Sequence, residues 1–359
     1  MASGPSRMTP AAAQSWKPAH VAAFPGLRVL TWSGETLYAS RGYDLLRANI
    51  RPGSTAIEWT HTAHYHPAWW RNLSSSTRLT ARLLRDGLHA LAVLSTGDLV
   101  GAVPGAIIRL AAGETQFRRV FRILRGTRPL HIAVGTSDLI VWGEYFDNPA
   151  RDEVHIYASS DCGVTWDVAY TFPKSAVRHI HNIVHDEWAN CFWVLTGDNG
   201  PECRILRATC DFKQVEVVLS GNQQARAVAA IPMDDALYFS SDTPLERNFV
   251  YRLDRCGELG RVAELSASSI YGCRVGQAMF FSTMVEPSRV NRDRHVRVYG
   301  SLDGLDWKDL MQWQKDAWPM SFFQYGNALL PDGKNLSGLL AVTTIAVKGG
   351  DLETSFWRV

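Results

Sequence analysis

The sequence lacks several features that would assign it to a common class. No run of about 18 apolar residues is present, so no membrane-spanning helix is predicted. Lysine and arginine number 37 against 35 aspartates and glutamates, and this net charge of +2 makes nucleic acid an unexpected partner. The six cysteines form no C-x-x-C pair and are too sparse for a disulfide framework, which argues against a zinc ribbon and favours free thiols.

The first 20 residues are small, polar and proline-containing, and they lack the apolar core of a signal peptide. We expect residues 1–20 to form a flexible segment and residues 21–359 to form one domain, because no Gly/Ser/Pro-rich linker interrupts positions 28–359. The default location is the cytoplasm, with unconventional export as the alternative.

Helical periodicity is scarce, whereas short β-branched or aromatic runs separated by turn signals recur every 40 to 50 residues or so. This period is typical of propeller blades. The sequence therefore predicts an all-β, seven-bladed β-propeller, with six blades as the alternative. The seven predicted units are 28–50, 77–123, 130–172, 178–219, 226–265, 269–313 and 321–359.

Two details of this layout can be checked in a structure. The second unit is expected to begin with a strand at TARLL, residues 80–84. The first and last units each lack one strand, and the apolar stretch 21–30 could complete the last blade, since closure removes exposed sheet edges.

One turn carries a specific motif. Residues 159–166 read S-S-D-C-G-V-T-W, residues 301–307 read S-L-D-G-L-D-W, and residues 207–212 form a weaker copy. In such a turn the aspartate accepts backbone N–H groups, the glycine takes a positive φ and the tryptophan packs between strands. We expect Asp161 and Asp303 to be structural.

The first copy resembles the Asp-box of sialidase-like (BNR-repeat) β-propellers at every fixed position, although only one blade carries the full motif. The resemblance implies a carbohydrate-active protein with the boxes on the face opposite the active site. The R-I-P motif that usually opens a true sialidase is absent, which argues against sialidase activity.

Polar residues recur where the blades should open onto one end of a central channel. The predicted starts of the innermost strands carry His131, the segment 178–181, the segment 223–226, Tyr271 and the pair 324–325. The loops between second and third strands add acids in four successive blades. We expect catalytic roles for His179, His181, Asp198, Arg226 and Glu286, and substrate contacts from Glu144, Gln224, Asp242, Glu246, Tyr271 and Tyr325.

His179 and His181 alternate on a strand and therefore share one face. Two imidazoles on one face can bind a divalent metal ion or carry out acid–base chemistry, and a hydrogen-bonded pair of channel histidines is the alternative. The segment HTAHYHPAWW, residues 61–70, has looser histidine spacing and could form a lid over the channel or a second metal site.

Two functions from different classes remain open. The first is a carbohydrate-active enzyme acting on an acidic glycan, either a glycoside hydrolase with two carboxylates or a uronate lyase that needs a carboxylate neutraliser and a base. The second is a non-catalytic propeller that binds a glycan or a protein, because fold alone does not determine function. The sequence indicates no cofactor other than the candidate divalent metal ion, and it does not define the oligomeric state.

Overall fold

The fold is a ring of antiparallel sheets. A computed structural model of the chain describes residues 16–320 and 322–359. Its strands are β1 Ala19–Pro25, β2 Arg28–Gly34, β3 Thr36–Arg41, β4 Asp44–Asn49, β5 Thr60–His64, β6 Ala90–Val93, β7 Leu99–Val103, β8 Ala106–Leu110, β9 Arg118–Arg122, β10 Ala133–Val134, β11 Ile140–Gly143, β12 Val154–Ser159, β13 Asp167–Phe172, β14 Ile180–Asp186, β15 Cys191–Thr196, β16 Arg204–Thr209, β17 Val215–Ser220, β18 Ala227–Pro232, β19 Ala236–Ser241, β20 Asn248–Asp254, β21 Leu259–Leu265, β22 Ser269–Val275, β23 Ala278–Thr283, β24 His295–Ser301, β25 Lys308–Gln314, β26 Asn327–Leu329, β27 Asp332–Asn335, β28 Leu339–Ile345 and β29 Glu353–Arg358. The α-helices are α1 Trp69–Ser76 and α2 Arg78–Leu84, and short 3-10 helices span Thr136–Asp138, Gly200–Glu202 and Gln223–Ala225.

These strands form seven blades, which confirms the predicted all-β seven-bladed propeller. Blades 1 to 6 contain β2–β5, β6–β9, β10–β13, β14–β17, β18–β21 and β22–β25, and blade 7 contains β26, β28, β29 and β1. Strand β1 pairs with β29, so the N-terminal region supplies the outer strand of the last blade and closes the ring. The predicted flexible segment falls mainly on residues 1–15, which lie outside the described residues, and the chain is already in a strand at Ala19.

Two features of the predicted layout are wrong. Blade 1 is not one strand short, because β5 (Thr60–His64) pairs with β4 and supplies its fourth strand. The TARLL segment is helix α2, not a strand. The Thr77 side chain accepts a hydrogen bond from the Thr80 amide and starts this helix, and blade 2 draws its four strands from residues 90–122. Neither α-helix of the described chain is long and apolar enough to cross a membrane.

The core lies between neighbouring blades, where apolar side chains of facing sheets pack together. The Asp-box tryptophan Trp166 contributes to it, since its ring lies edge-on to buried Trp142 at 6.1 Å. Within the turn, the Asp161 carboxylate accepts hydrogen bonds from the Val164 and Thr165 amides, and Gly163 has a φ of +82°. The turn thus has the predicted structural role. All six cysteines are free.

We call the upper face the end of the ring where the outer strand of one blade connects to the innermost strand of the next. In four blades the innermost strand has a break in pairing register near this end. Such a β-bulge leaves one residue unpaired and re-aims nearby side chains. The residues skipped by the pairing are Leu30, His181, Val228 and Ile270. Three of these four line the cavity described next.

Candidate functional site

A cavity of about 640 Å³ opens on the upper face, and we call it the upper cavity. Its walls come from six of the seven blades, from the loop that joins blades 2 and 3 and from the end of α2, so residues far apart in sequence meet there. Most of the predicted site residues line it together, namely His179, His181, Asp198, Arg226, Asp242, Tyr271, Glu286 and Tyr325. The size suits one or two sugar rings or another small polar ligand.

Three predicted substrate-binding residues do not line this cavity. The buried Glu144 carboxylate instead accepts hydrogen bonds from the Arg125 guanidinium and the His155 amide, which gives it a structural role within blade 3. Glu246 is exposed, and Gln224 is half-buried outside the lining of the cavity. Its neighbour Gln223 donates a hydrogen bond to the backbone carbonyl of Asp198. His131 lines a separate cavity of about 470 Å³ at the lower end of the channel, where it pairs with Asp332.

The two histidines of blade 4 face each other in the upper cavity. Both are buried, and their Nε2 atoms are 3.1 Å apart. His179 Nδ1 lies 3.0 Å from the Phe146 carbonyl, and His181 Nδ1 lies 2.9 Å from the Ala227 carbonyl. The two residues are two positions apart in extended backbone, so their side chains share one face, and the bulge at His181 lies within this contact.

Asp198 completes a cluster with this pair. Its carboxylate oxygens lie 3.6 Å from His179 Nε2 and 3.4 Å from His181 Nε2, and Arg178 approaches the same carboxylate to 3.1 Å. The burial of Asp198 opposes its ionisation, but hydrogen bonds with the two histidines outweigh this and hold its pKa well below the usual range. The preceding residue must be glycine, since a Cβ at Gly197 would lie 2.0 Å from the Glu202 carbonyl oxygen.

Two further carboxyls lie on this side of the cavity. Asp242 is buried beside Arg226, and burial raises its pKa. Burial also raises the pKa of Glu286, and the negative charge of Asp242 adds to that shift. Raised pKa values mark carboxyls that keep a proton at higher pH than usual and can donate it.

The opposite wall is made of arginines, and we call Arg28, Arg85 and Arg128 the arginine wall. Among the residues that the structure describes, none of the three has a carboxylate within salt-bridge distance. Burial and the positive charge of Arg28 lower the pKa of Arg128 to about 10. Burial and the charges of Arg128 and Arg28 likewise hold the pKa of His89 well below its usual value. This wall therefore carries positive charge that no carboxylate of the described chain neutralises.

Part of this wall lies at repeat positions that a sequence can indicate. Arg28 begins the innermost strand of blade 1, the repeat position at which polar residues were identified in later blades. Arg128 lies in the loop that leads from blade 2 to blade 3 on the upper face. Arg85 follows α2, which was predicted as a strand, and nothing in the local pattern indicated its place at the cavity.

The histidine segment 61–70 does not form the predicted lid. His61 and His64 lie on β5 and contact Asp44 at 3.2 and 2.7 Å, on the outer strand of blade 1. The helix at the cavity is instead α2. Buried Arg82 anchors it through an ion pair with Asp316. Leu83 and Leu84 at the end of α2 line the cavity mouth.

Comparison with known proteins defines the fold and no family. No protein-family profile matches the chain, and no curated protein matches it. Solved structures that resemble it include one in the mitotic checkpoint complex, with a TM-score of 0.60, 10% identity and coverage of 100% of this chain and 97% of the other. The WD40 propeller of Doa1 has a TM-score of 0.57, 10% identity and coverage of 96% and 97%. The Pan2 WD40 domain of Neurospora crassa has a TM-score of 0.54, 9% identity and coverage of 95% of each chain. At such identities the likeness establishes a β-propeller and does not support the sialidase-like assignment in particular.

Proposed function

We propose that the protein is an enzyme that cleaves an acidic glycan by β-elimination, with the carboxylate of the sugar bound by the arginine wall. The observation that carries this proposal is that one cavity contains the arginine wall on one side and the carboxyl groups of Asp242 and Glu286 on the other. Within residues 16–320 and 322–359, no carboxylate lies within salt-bridge distance of Arg28 or Arg128. Guanidinium groups bind carboxylates through paired, charge-assisted hydrogen bonds. A uronate is a ligand that supplies this charge and also fills a polar cavity.

The base is assigned to Tyr271. The hydrogen removed in β-elimination lies on the carbon next to the carboxylate, so the base must lie beside the arginines. Tyr271 lines the cavity and interacts with Arg28. In its phenolate form Tyr271 would take the proton on its oxygen, and the electron pair of the broken carbon–hydrogen bond would form the carbon–carbon double bond as the bond to the leaving oxygen breaks.

The proton donor is assigned to Glu286. The leaving oxygen needs a proton, and the raised pKa of Glu286 favours its protonated form. Arginines that neutralise the carboxylate also acidify the neighbouring carbon–hydrogen bond, because they stabilise the charge that develops when the proton leaves. A hydrolase would use two carboxylates and a water instead, and Asp242 with Glu286 is the pair available for that reaction.

The test is a screen of uronate-containing polysaccharides for unsaturated products, which absorb in the ultraviolet, and for new reducing ends. Tyr271→Phe should lower kcat by at least about 100-fold, the usual contribution of a general base. Arg128→Gln should raise KM by about 10- to 100-fold, corresponding to a lost hydrogen bond to a charged group. Tyr170→Phe and Arg122→Gln are matched controls, since both lie on outer strands away from the cavity.

Other outcomes would contradict the proposal in different ways. Reducing ends without ultraviolet absorption would indicate a hydrolase. Binding of acidic glycans without any product would favour the non-catalytic propeller. Activity that survives Tyr271→Phe unchanged would remove the assignment of the base.

A further inference from the structure

Backbone carbonyls determine which ring nitrogen of each histidine in the pair carries a hydrogen. His179 Nδ1 faces the Phe146 carbonyl at 3.0 Å, and His181 Nδ1 faces the Ala227 carbonyl at 2.9 Å. A carbonyl oxygen only accepts hydrogen bonds, so both Nδ1 atoms must donate. A neutral imidazole that donates from Nδ1 presents Nε2 as a lone pair. Each histidine therefore directs an acceptor at the other.

When both imidazoles are neutral, the two Nε2 atoms and the Asp198 carboxylate are three acceptors that converge on one point. The two Nε2 atoms are 3.1 Å apart, and the Asp198 oxygens lie 3.6 and 3.4 Å from them. Electron pairs at these separations repel one another unless a cation lies between them. In tetrahedral coordination with bonds of about 2.0–2.1 Å, ligand atoms lie about 3.3 Å apart. The observed spacings fit that arrangement.

The surroundings also match those of a metal site. Metal-bound histidines usually donate their second N–H to a backbone carbonyl or carboxylate, as both do here. Asp198 keeps lone pairs for a metal, because a carboxylate offers about four acceptor positions and only Arg178, at 3.1 Å, and Arg226, at 3.4 Å, approach it among the described cations. Buried Asp242 lies close by, and its Oδ1 has no hydrogen-bond partner among the described residues.

We propose that His179, His181 and Asp198 bind a divalent first-row transition-metal ion, with its remaining coordination positions open to the upper cavity. Two histidines and one carboxylate suit Zn²⁺, Fe²⁺ or Mn²⁺. The three ligands line the cavity, so a ligand oxygen can reach the ion directly. The inference depends only on this geometry, and it holds whether or not the proposed glycan reaction is correct.

The experiment uses the full chain, treated with a chelator and then titrated with Zn²⁺ by calorimetry at neutral pH. We expect one equivalent to bind. His179→Gln and Asp198→Asn should each weaken binding by at least about 100-fold, since each removes a ligand. His61→Gln is the matched control, because it removes a histidine that contacts an aspartate on the outer face of blade 1 and should leave affinity unchanged. Circular dichroism checks that each variant folds.

A second measurement needs no variant. X-ray absorption of the zinc-loaded wild type should show two imidazole nitrogens at about 2.0–2.1 Å. Absence of binding would overturn the inference and leave a proton shared between the two Nε2 atoms. Loss of the bound zinc in His61→Gln but not in His179→Gln would overturn it as well. No glycan enters either measurement, so their failure is distinct from failure of the proposed reaction.

Discussion

Asp161 provides a direct test of the turn that the sequence motif predicts. Its carboxylate accepts four hydrogen bonds, from the amides of Val164 and Thr165 and from the hydroxyls of Ser159 and Thr165. At about 0.5 kcal/mol each, the low end for hydrogen bonds in proteins because this turn is exposed, they contribute about 2 kcal/mol. Asp161→Ala should lower the free energy of unfolding by about that amount.

The pKa of Asp161 gives an independent magnitude. Its burial raises the value slightly, but hydrogen bonds from Thr165 outweigh this and lower the pKa from 3.8 to about 2. For a buried group this difference corresponds to about 2.4 kcal/mol, and solvent screening of an exposed carboxylate reduces it to about 1 kcal/mol. The two routes bracket the effect between about 1 and 2 kcal/mol.

The pH dependence follows from the sign of this shift. A carboxyl with a lowered folded-state pKa stabilises the protein above pH 3.8 and loses that contribution as pH falls towards 2. About half of the contribution should be gone at pH 3. The measurement is urea unfolding followed by tryptophan fluorescence, at pH 7 and at the lowest pH where the wild type remains folded.

The control for this series is Asp167→Ala. Asp167 begins β13 beside the same turn and is exposed, and its carboxylate makes no hydrogen bond or ion pair with any residue in the described part of the chain. If Asp161→Ala and Asp167→Ala differ by less than about 0.5 kcal/mol at pH 7, the carboxylate does not hold the turn. A difference that persists unchanged at low pH would refute the linkage argument.

Two further substitutions test the elements around the upper cavity. Arg82→Met should lower the local stability of the helices by about 3 kcal/mol, because it breaks a buried ion pair with Asp316. Faster hydrogen exchange over residues 69–84 would reveal this loss. Unchanged exchange would mean that the pair does not anchor the helices. Gly143→Ala should destabilise the protein by about 1–3 kcal/mol, because its Cβ would lie 2.5 Å from Ile180. Gly260→Ala, which meets nothing within 4 Å, should leave the melting temperature unchanged, and equal melting temperatures of the two variants would contradict the prediction.

The number of blades could be predicted from the sequence because every blade repeats the same pattern of strands and turns. Each blade buries apolar faces against its neighbours, so the alternation of apolar and turn residues recurs with one period. The TARLL segment is an exception to this pattern, because it forms a helix and not a strand. Its apolar residues are compatible with a strand, but a strand needs a partner, and the segment is instead capped by Thr77 and anchored by Arg82.

The site could be predicted only as far as blade position determines which face a residue reaches. His179, Asp198 and Glu286 lie at repeat positions that open on the upper face, and they do meet in one cavity. Glu144 occupies an equivalent position, yet it turns towards Arg125. Whether a carboxylate contacts the cavity or a neighbouring arginine depends on how side chains of different blades pack together. A single sequence does not show which side chains pack against each other.

The asymmetry of the cavity arises from small departures from the repeat. Seven similar blades would place similar residues around the channel, but bulges in blades 1, 4, 5 and 6 shift single residues out of register at its upper end. The bulge at His181 lies within the contact between this residue and His179, and the bulge beside Tyr271 lies on the strand that carries this phenol to the cavity. Three of the four skipped residues line the upper cavity. The irregular positions of the repeat therefore coincide with the part of the channel where the blades differ most in the side chains they present.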